Sequence, residues 1–74
     1  MNKERRKRLT KEYELIEEAK AIPEEVKDDE AEAYDNLPEN FQNGDRGEEI
    51  QGYIEMLDEA CNYLDDASSV VDQI

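Results

Sequence analysis

Residues 46–74, RGEEIQGYIEMLDEACNYLDDASSVVDQI, decide the fold. Apolar side chains recur there at Ile50, Ile54, Leu57, Cys61, Leu64 and Val71, with Tyr53, Ala60, Ala67 and Ile74 alongside. Steps of three and four residues put them on one broad stripe of a helix. Asp45, followed three residues later by Glu48, has the form of a capping box, in which the Asp carboxylate accepts from free backbone N–H groups and the Glu reaches back. The spacing predicts a helix over 46–74 whose apolar stripe needs a cover.

The cover comes from the preceding half of the chain. Residues 37–45, LPENFQNGD, read as a turn, because the residue before proline avoids helical angles and Asn, Asp and Gly favour turns. Phe41 is placed to fold back over the end of the core. Before the turn, Leu9, Tyr13, Ile16 and Lys20 share one face of a first helix, with Leu15, Ala19 and Ile22 on a neighbouring face. Pro23 interrupts that helix, and a kink or a break is expected there; Val26, Ala33 and Leu37 continue the apolar line beyond it. An antiparallel hairpin in which paired residue numbers sum to 87 matches Leu37 with Ile50, Val26 with Cys61, Ile16 with Val71 and Tyr13 with Ile74. Its weak point is Glu30 opposite Leu57. This pairing leaves residues 1–12 as a basic overhang, projecting about 18 Å if helical.

Composition restricts what such a hairpin does. The chain is one domain of 74 residues, 36% hydrophobic, so a single copy makes only a thin core and a partner or a second copy is expected. The expected fold class is therefore all-α: an antiparallel two-helix hairpin dimerising into a four-helix bundle. Ile50, Ile54, Leu57, Cys61, Leu64 and Val71 form the expected self-association core. The net charge of -13 argues against direct binding of nucleic acid or an anionic membrane and favours a protein partner with a basic surface. Histidine is absent, which removes His-based metal sites and nucleophile activation, and a two-helix protein has no desolvated cleft for paired carboxylates. No enzyme activity and no cofactor are expected. Cys61 reads as a small buried hydrophobe. No signal-peptide pattern or membrane span is legible, so the expected compartment is the cytoplasm.

Charge is sharply polarised. Residues 1–12, with Lys3, Arg5, Arg6, Lys7, Arg8 and Lys11, sum to +4, and the remainder to -17. Asp58, Glu59, Asp65, Asp66 and Asp72 recur at heptad spacing as an acidic face beside the apolar stripe; Glu17, Glu18, Glu24, Glu25, Asp28 and Asp29 form a second row. Such rows serve as a solvated face or as a surface whose carboxylates stand where nucleic-acid phosphates would. Gly52, inside the second helix, is expected to allow close approach of Tyr34 or Phe41. Tyr13, Tyr34 and Tyr53 read as seam residues, and Tyr63 as an exposed contact.

From YDNLPENFQNGDRGEEI (34–50) into DEACNYLDDA (58–67), the sequence resembles small acidic helical-hairpin proteins encoded in phages and mobile elements of Gram-positive bacteria. These share a basic N-terminal helix, an LPEN-type turn and an acidic, Ala-containing second helix; Pro23 departs from their pattern. The resemblance implies a small mobile-element protein without an assigned activity. In that setting compact acidic proteins act as inhibitors of host defence or of nucleic-acid enzymes. The expected function is non-catalytic binding of a basic protein, with a structural coiled-coil assembly module as the alternative.

Overall fold

A computed structural model describes all of residues 1–74 as a rod of 59 × 14 × 12 Å. Three helices follow in order: α1 (Lys3–Asp35), α2 (Glu39–Gln42) and α3 (Asp45–Asp72). The long helices α1 and α3 pack side by side and antiparallel; α2 is a single helical turn in the connection.

Helix α1 is built from strong helix formers and starts at Asn2, whose Oδ1 accepts from the Arg5 N–H at 2.8 Å. It stays continuous across Pro23, where the sequence led us to expect a kink or a break, so the chain is not broken there. The lost N–H of Pro23 removes one hydrogen bond among many, and α3 supports the flanking turns. Leu37-Pro38 ends α1 as expected. The capping box does not form at α3: Gly44 is its N-cap without a side-chain bond, and Asp45 sits inside the first turn, where its charge favours the helix dipole.

Buried and half-buried positions at regular spacing define the seam. On α1 and just beyond it they are Leu9, Tyr13, Ile16, Lys20, Pro23, Lys27, Glu30, Tyr34 and Leu37; on α3 they are Gly47, Ile50, Ile54, Leu57, Cys61, Leu64, Ser68 and Val71. Both rows step by alternating threes and fours, the spacing of a coiled-coil seam. Flanking contacts join Lys20 to Asp65, Lys27 to Asp58 and Glu17 to Ser68. They seat Lys20 opposite Leu64, Lys27 opposite Leu57 and Tyr13 opposite Val71. The pairing read from the sequence put Tyr13 opposite Ile74, so the structure slips the helices by three residues.

The turn explains that slip. Gly47 packs directly on the preceding helical turn: a Cβ there would lie 2.0 Å from the Gln42 carbonyl oxygen. Gln42 Nε2 donates to the carbonyls of Tyr34 and Leu37, at 3.1 and 3.2 Å, satisfying acceptors left open by the end of α1. Together these close the connection more tightly than an extended loop over 37–45. Phe41, expected to plug the core, is 54% exposed; Gln42 takes that place because its amide can bond the helix end while a phenyl ring cannot. Gly52 has nothing within 4 Å of where a Cβ would stand, so the close approach expected there occurs at Gly47 instead.

The slip also shortens the overhang. The Arg6 guanidinium donates to the Ile74 carbonyl at 2.7 Å, and Leu9, Thr10 and Tyr13 line a groove with Val71 and Ile74. With Tyr13 opposite Val71, Ile74 falls opposite Thr10, so the overhang is reduced from twelve residues to the first nine, and the Arg6 side chain reaches back from it to the last carbonyl.

Candidate protein-binding faces

The seam is thin. Ile50, 6% exposed, is the one buried apolar side chain, and Ser68 and Gly47 are the other buried residues. The middle of the α1 row is Lys20, Pro23, Lys27 and Glu30, so Leu57, Cys61 and Leu64 of α3 are covered by lysine stems and a proline ring. Each lysine lays its methylenes along the seam and sends its ammonium to one flank. Lys20 bonds Asp65 and, at 3.4 Å, Glu17, while Lys27 bonds Asp58 at 2.6 Å. The Asp65 carboxylate holds the Lys20 ammonium above its ordinary value, and Asp58 does the same for Lys27. Glu17 is held below its ordinary value by the Ser68 hydroxyl, which donates to it at 2.5 Å, with help from Lys20.

That flank is the acidic side. Asp58, Asp65 and Asp72 of α3 and Glu17, Glu24 and Asp28 of α1 each follow a seam position by one residue. The antiparallel pairing brings the two rows read separately from the sequence onto one side of the rod, all six exposed. Glu59 and Asp66 lie further out on α3, also exposed. Two of the five expected acidic-face residues of α3, Asp58 and Asp65, already hold lysines; Glu59 accepts from the Tyr63 hydroxyl at 2.8 Å. That carboxylate raises the Tyr63 hydroxyl above its ordinary value, and Glu49 does the same to Tyr53.

The six residues read as a self-association core, Ile50, Ile54, Leu57, Cys61, Leu64 and Val71, all lie on the seam between α1 and α3. A different row stands open. Residues preceding each seam position by one are Tyr53, Met56, Ala60, Tyr63, Ala67 and Val70 on α3, with Ile74 just past its end, and Leu15, Ala19, Ile22 and Val26 on α1. In an antiparallel pair these rows share the side opposite the acidic one. Val26, Tyr53 and Met56 accordingly line one shallow depression. Leu15, Ile22, Val26, Tyr53, Met56, Tyr63, Val70 and Ile74 are 42 to 65% exposed. Tyr53 and Val26, placed on the seam by the sequence reading, belong here: each stands one residue before a seam position, Ile54 and Lys27, and is exposed. The sequence reading sets Ala60 and Ala67 beside the main stripe, places Tyr53 and Ile74 on the seam and singles out Tyr63 alone as an exposed contact. Their own three-four spacing, continued through Met56, Tyr63 and Val70, was the available signal of a second surface.

The basic residues Lys3, Arg5, Arg6, Lys7 and Arg8 are all exposed at the open end of the rod. Met1, Arg5, Arg8 and Glu12 share one depression there. No group of three or more His, Cys, Asp or Glu residues is gathered closely enough to hold a metal ion, and no helix is long and apolar enough to cross a membrane. Comparison of the chain with known protein families, curated proteins and solved structures gave no match. The molecule's chemistry is thus that of its surfaces: carboxylates along one side, apolar side chains along the other, and a basic tip.

Proposed function

We propose that this chain is a non-catalytic binding module, a helical hairpin that pairs into a four-helix bundle and presents its acidic sides to a basic, nucleic-acid-handling protein in the cytoplasm. The observation that carries the reading is the gathering of Glu17, Glu24, Asp28, Asp58, Asp65 and Asp72 on one side, with only Lys20 and Lys27 among them, both already engaged. A row of carboxylates along a rod suits a groove built for a phosphate backbone, where charge and not fine geometry drives binding. The resemblance to phage and mobile-element hairpins supports an inhibitory role, in which the acidic side occupies the groove in place of nucleic acid.

The test is competition. The immobilised protein should retain nucleic-acid-handling proteins from a bacterial extract at low salt, and both added duplex DNA and high salt should release them. A variant with Glu24→Gln, Asp28→Asn and Asp72→Asn should retain markedly less. Retention indifferent to salt, to DNA and to these substitutions would defeat the proposal. The alternative, a self-assembly module with no inhibitory role, is favoured by one observation, the open apolar row on the other side.

A further inference from the structure

That apolar side has a definite occupant. We infer that it is closed by a second copy of the chain lying antiparallel, so that the basic tip of each copy rests over the acidic turn end of the other. This rests on the pairing proposed above and specifies its face and direction.

A hairpin with one buried apolar side chain has little core of its own. Meanwhile Leu15, Ile22, Met56, Tyr63 and Val70 stand open on a single side. The apolar rows run from about Ile74 at one end to Tyr53 at the other, some 20 residues of helix or roughly 30 Å at 1.5 Å per residue. Across a rod 14 Å wide, two copies would bury on the order of 1,000 Å² in all, about what a specific interface needs.

Charge selects the copy and its direction. A two-fold interface uses the same patch on both partners, so its two ends must complement each other. Here Arg5 and Arg8 lie on the apolar side at the open end, with Glu12 beside them. Asp29 and Glu49 lie on it at the turn end, with Arg46 the one base among them. Centring the apolar rows on a two-fold axis sets the end of one copy that carries Arg8 level with the end of the other that carries Glu49. A parallel pair would set Arg5 and Arg8 against themselves. The acidic sides then face outward from both copies, free for a partner.

The experiment combines solution mass with directional cross-linking. Light scattering of the native chain should give a dimer. Met56→Glu with Val70→Glu should raise its dissociation constant ~100-fold or more, since each pair buries unpartnered charge. Circular dichroism checks that this variant stays helical; if it unfolds, cross-linking decides. In a Cys61→Ser background, the Arg8→Cys chain is mixed with the Glu49→Cys chain and treated with a short thiol-to-thiol reagent. We expect links between the two different chains to predominate. A native dimer that links Arg8→Cys chains to each other overturns the antiparallel arrangement while leaving dimerisation intact. A dimer unaffected by the Glu substitutions and unlinked in either sense overturns the face. A native monomer overturns the pairing altogether and leaves binding through the acidic side to be judged by its own competition test.

Discussion

The two flanks of the seam have the same helical geometry and opposite chemistry. On the side where Lys20 and Lys27 emerge, the residues are Glu17, Glu24, Asp28, Asp58, Asp65 and Asp72; on the other they are Leu15, Ile22, Val26, Met56, Tyr63 and Val70. The acidic flank satisfies part of its charge within the chain, through the bonds of Asp65, Asp58 and Glu17 to Lys20, Lys27 and Ser68. The apolar flank makes no such bond between the helices; its two tyrosine hydroxyls, on Tyr53 and Tyr63, donate only to Glu49 and Glu59 of their own helix. A helix pair of this length therefore uses one stripe of each helix to fold, and its two flanks differ in whether water is an adequate neighbour: carboxylates are well solvated, whereas exposed Met56, at 65%, and Val70, at 60%, are not.

The most damaging way to break this contrast is to remove the seam that holds both flanks. Leu64→Asp places a charge in the seam beside the Lys20 stem and should cost about 2–4 kcal/mol, most of what so small a fold has. Circular dichroism should show loss of most helix; an unchanged spectrum and unchanged mass would count against the architecture. Next in size is Gly47→Ala. Its Cβ would meet the backbone of Gln42 at 2.0 to 2.8 Å, so the turn must open, at a cost of about 1–3 kcal/mol. Gly52→Ala meets nothing and should stabilise by up to about 1 kcal/mol from helix propensity. Thermal melts of the two glycine variants should therefore shift in opposite directions.

A third change sharpens the comparison. Lys20→Met with Lys27→Met makes the α1 side of the seam apolar from Leu9 as far as position 27 and leaves Asp58 and Asp65 unpaired. Exposed ion pairs stabilise little, so we expect a melting temperature at least as high as that of the native chain and a more acidic flank. A clear fall would show that the bonds to Asp58 and Asp65 matter more than apolar contact. The smallest expected effect is Ser68→Ala. Because Glu17 lies below its ordinary 4.5 in the folded chain, its stabilising contribution is present above the ordinary carboxylate range and is lost as pH falls through the lowered folded value. Removing the hydroxyl should move the Glu17 titration, followed by NMR, back toward 4.5, so that the variant is slightly less stable than the native chain at neutral pH and loses less stability on acidification.

Much of this was legible before any coordinates. Leu9, Tyr13, Ile16 and Lys20 do share a face, the helices meet antiparallel, and α1 ends at Asp35 with Asn36 as its cap, just before Leu37-Pro38. What misled was the pairing. A seam of alternating threes and fours lies almost as well on itself when slid by three residues, so apolar matching alone accepts Tyr13 opposite Ile74 as readily as opposite Val71. Asp45 and Glu48 have capping-box spacing, yet Gly44 takes the cap, because a spacing says nothing about where the chain leaves the preceding turn. Phe41 was assigned to the core on size alone, while the end of α1 required a hydrogen-bond donor, which Gln42 supplies.

By itself the sequence determined the helices, their apolar and acidic stripes and the polarised charge, since each depends on a local 3.6-residue period or a simple count. Only the tertiary structure decided which stripes share a side. That depends on register, and register depends on a bare Gly47 backbone against Gln42 in the turn, a contact between residues that no periodicity encodes.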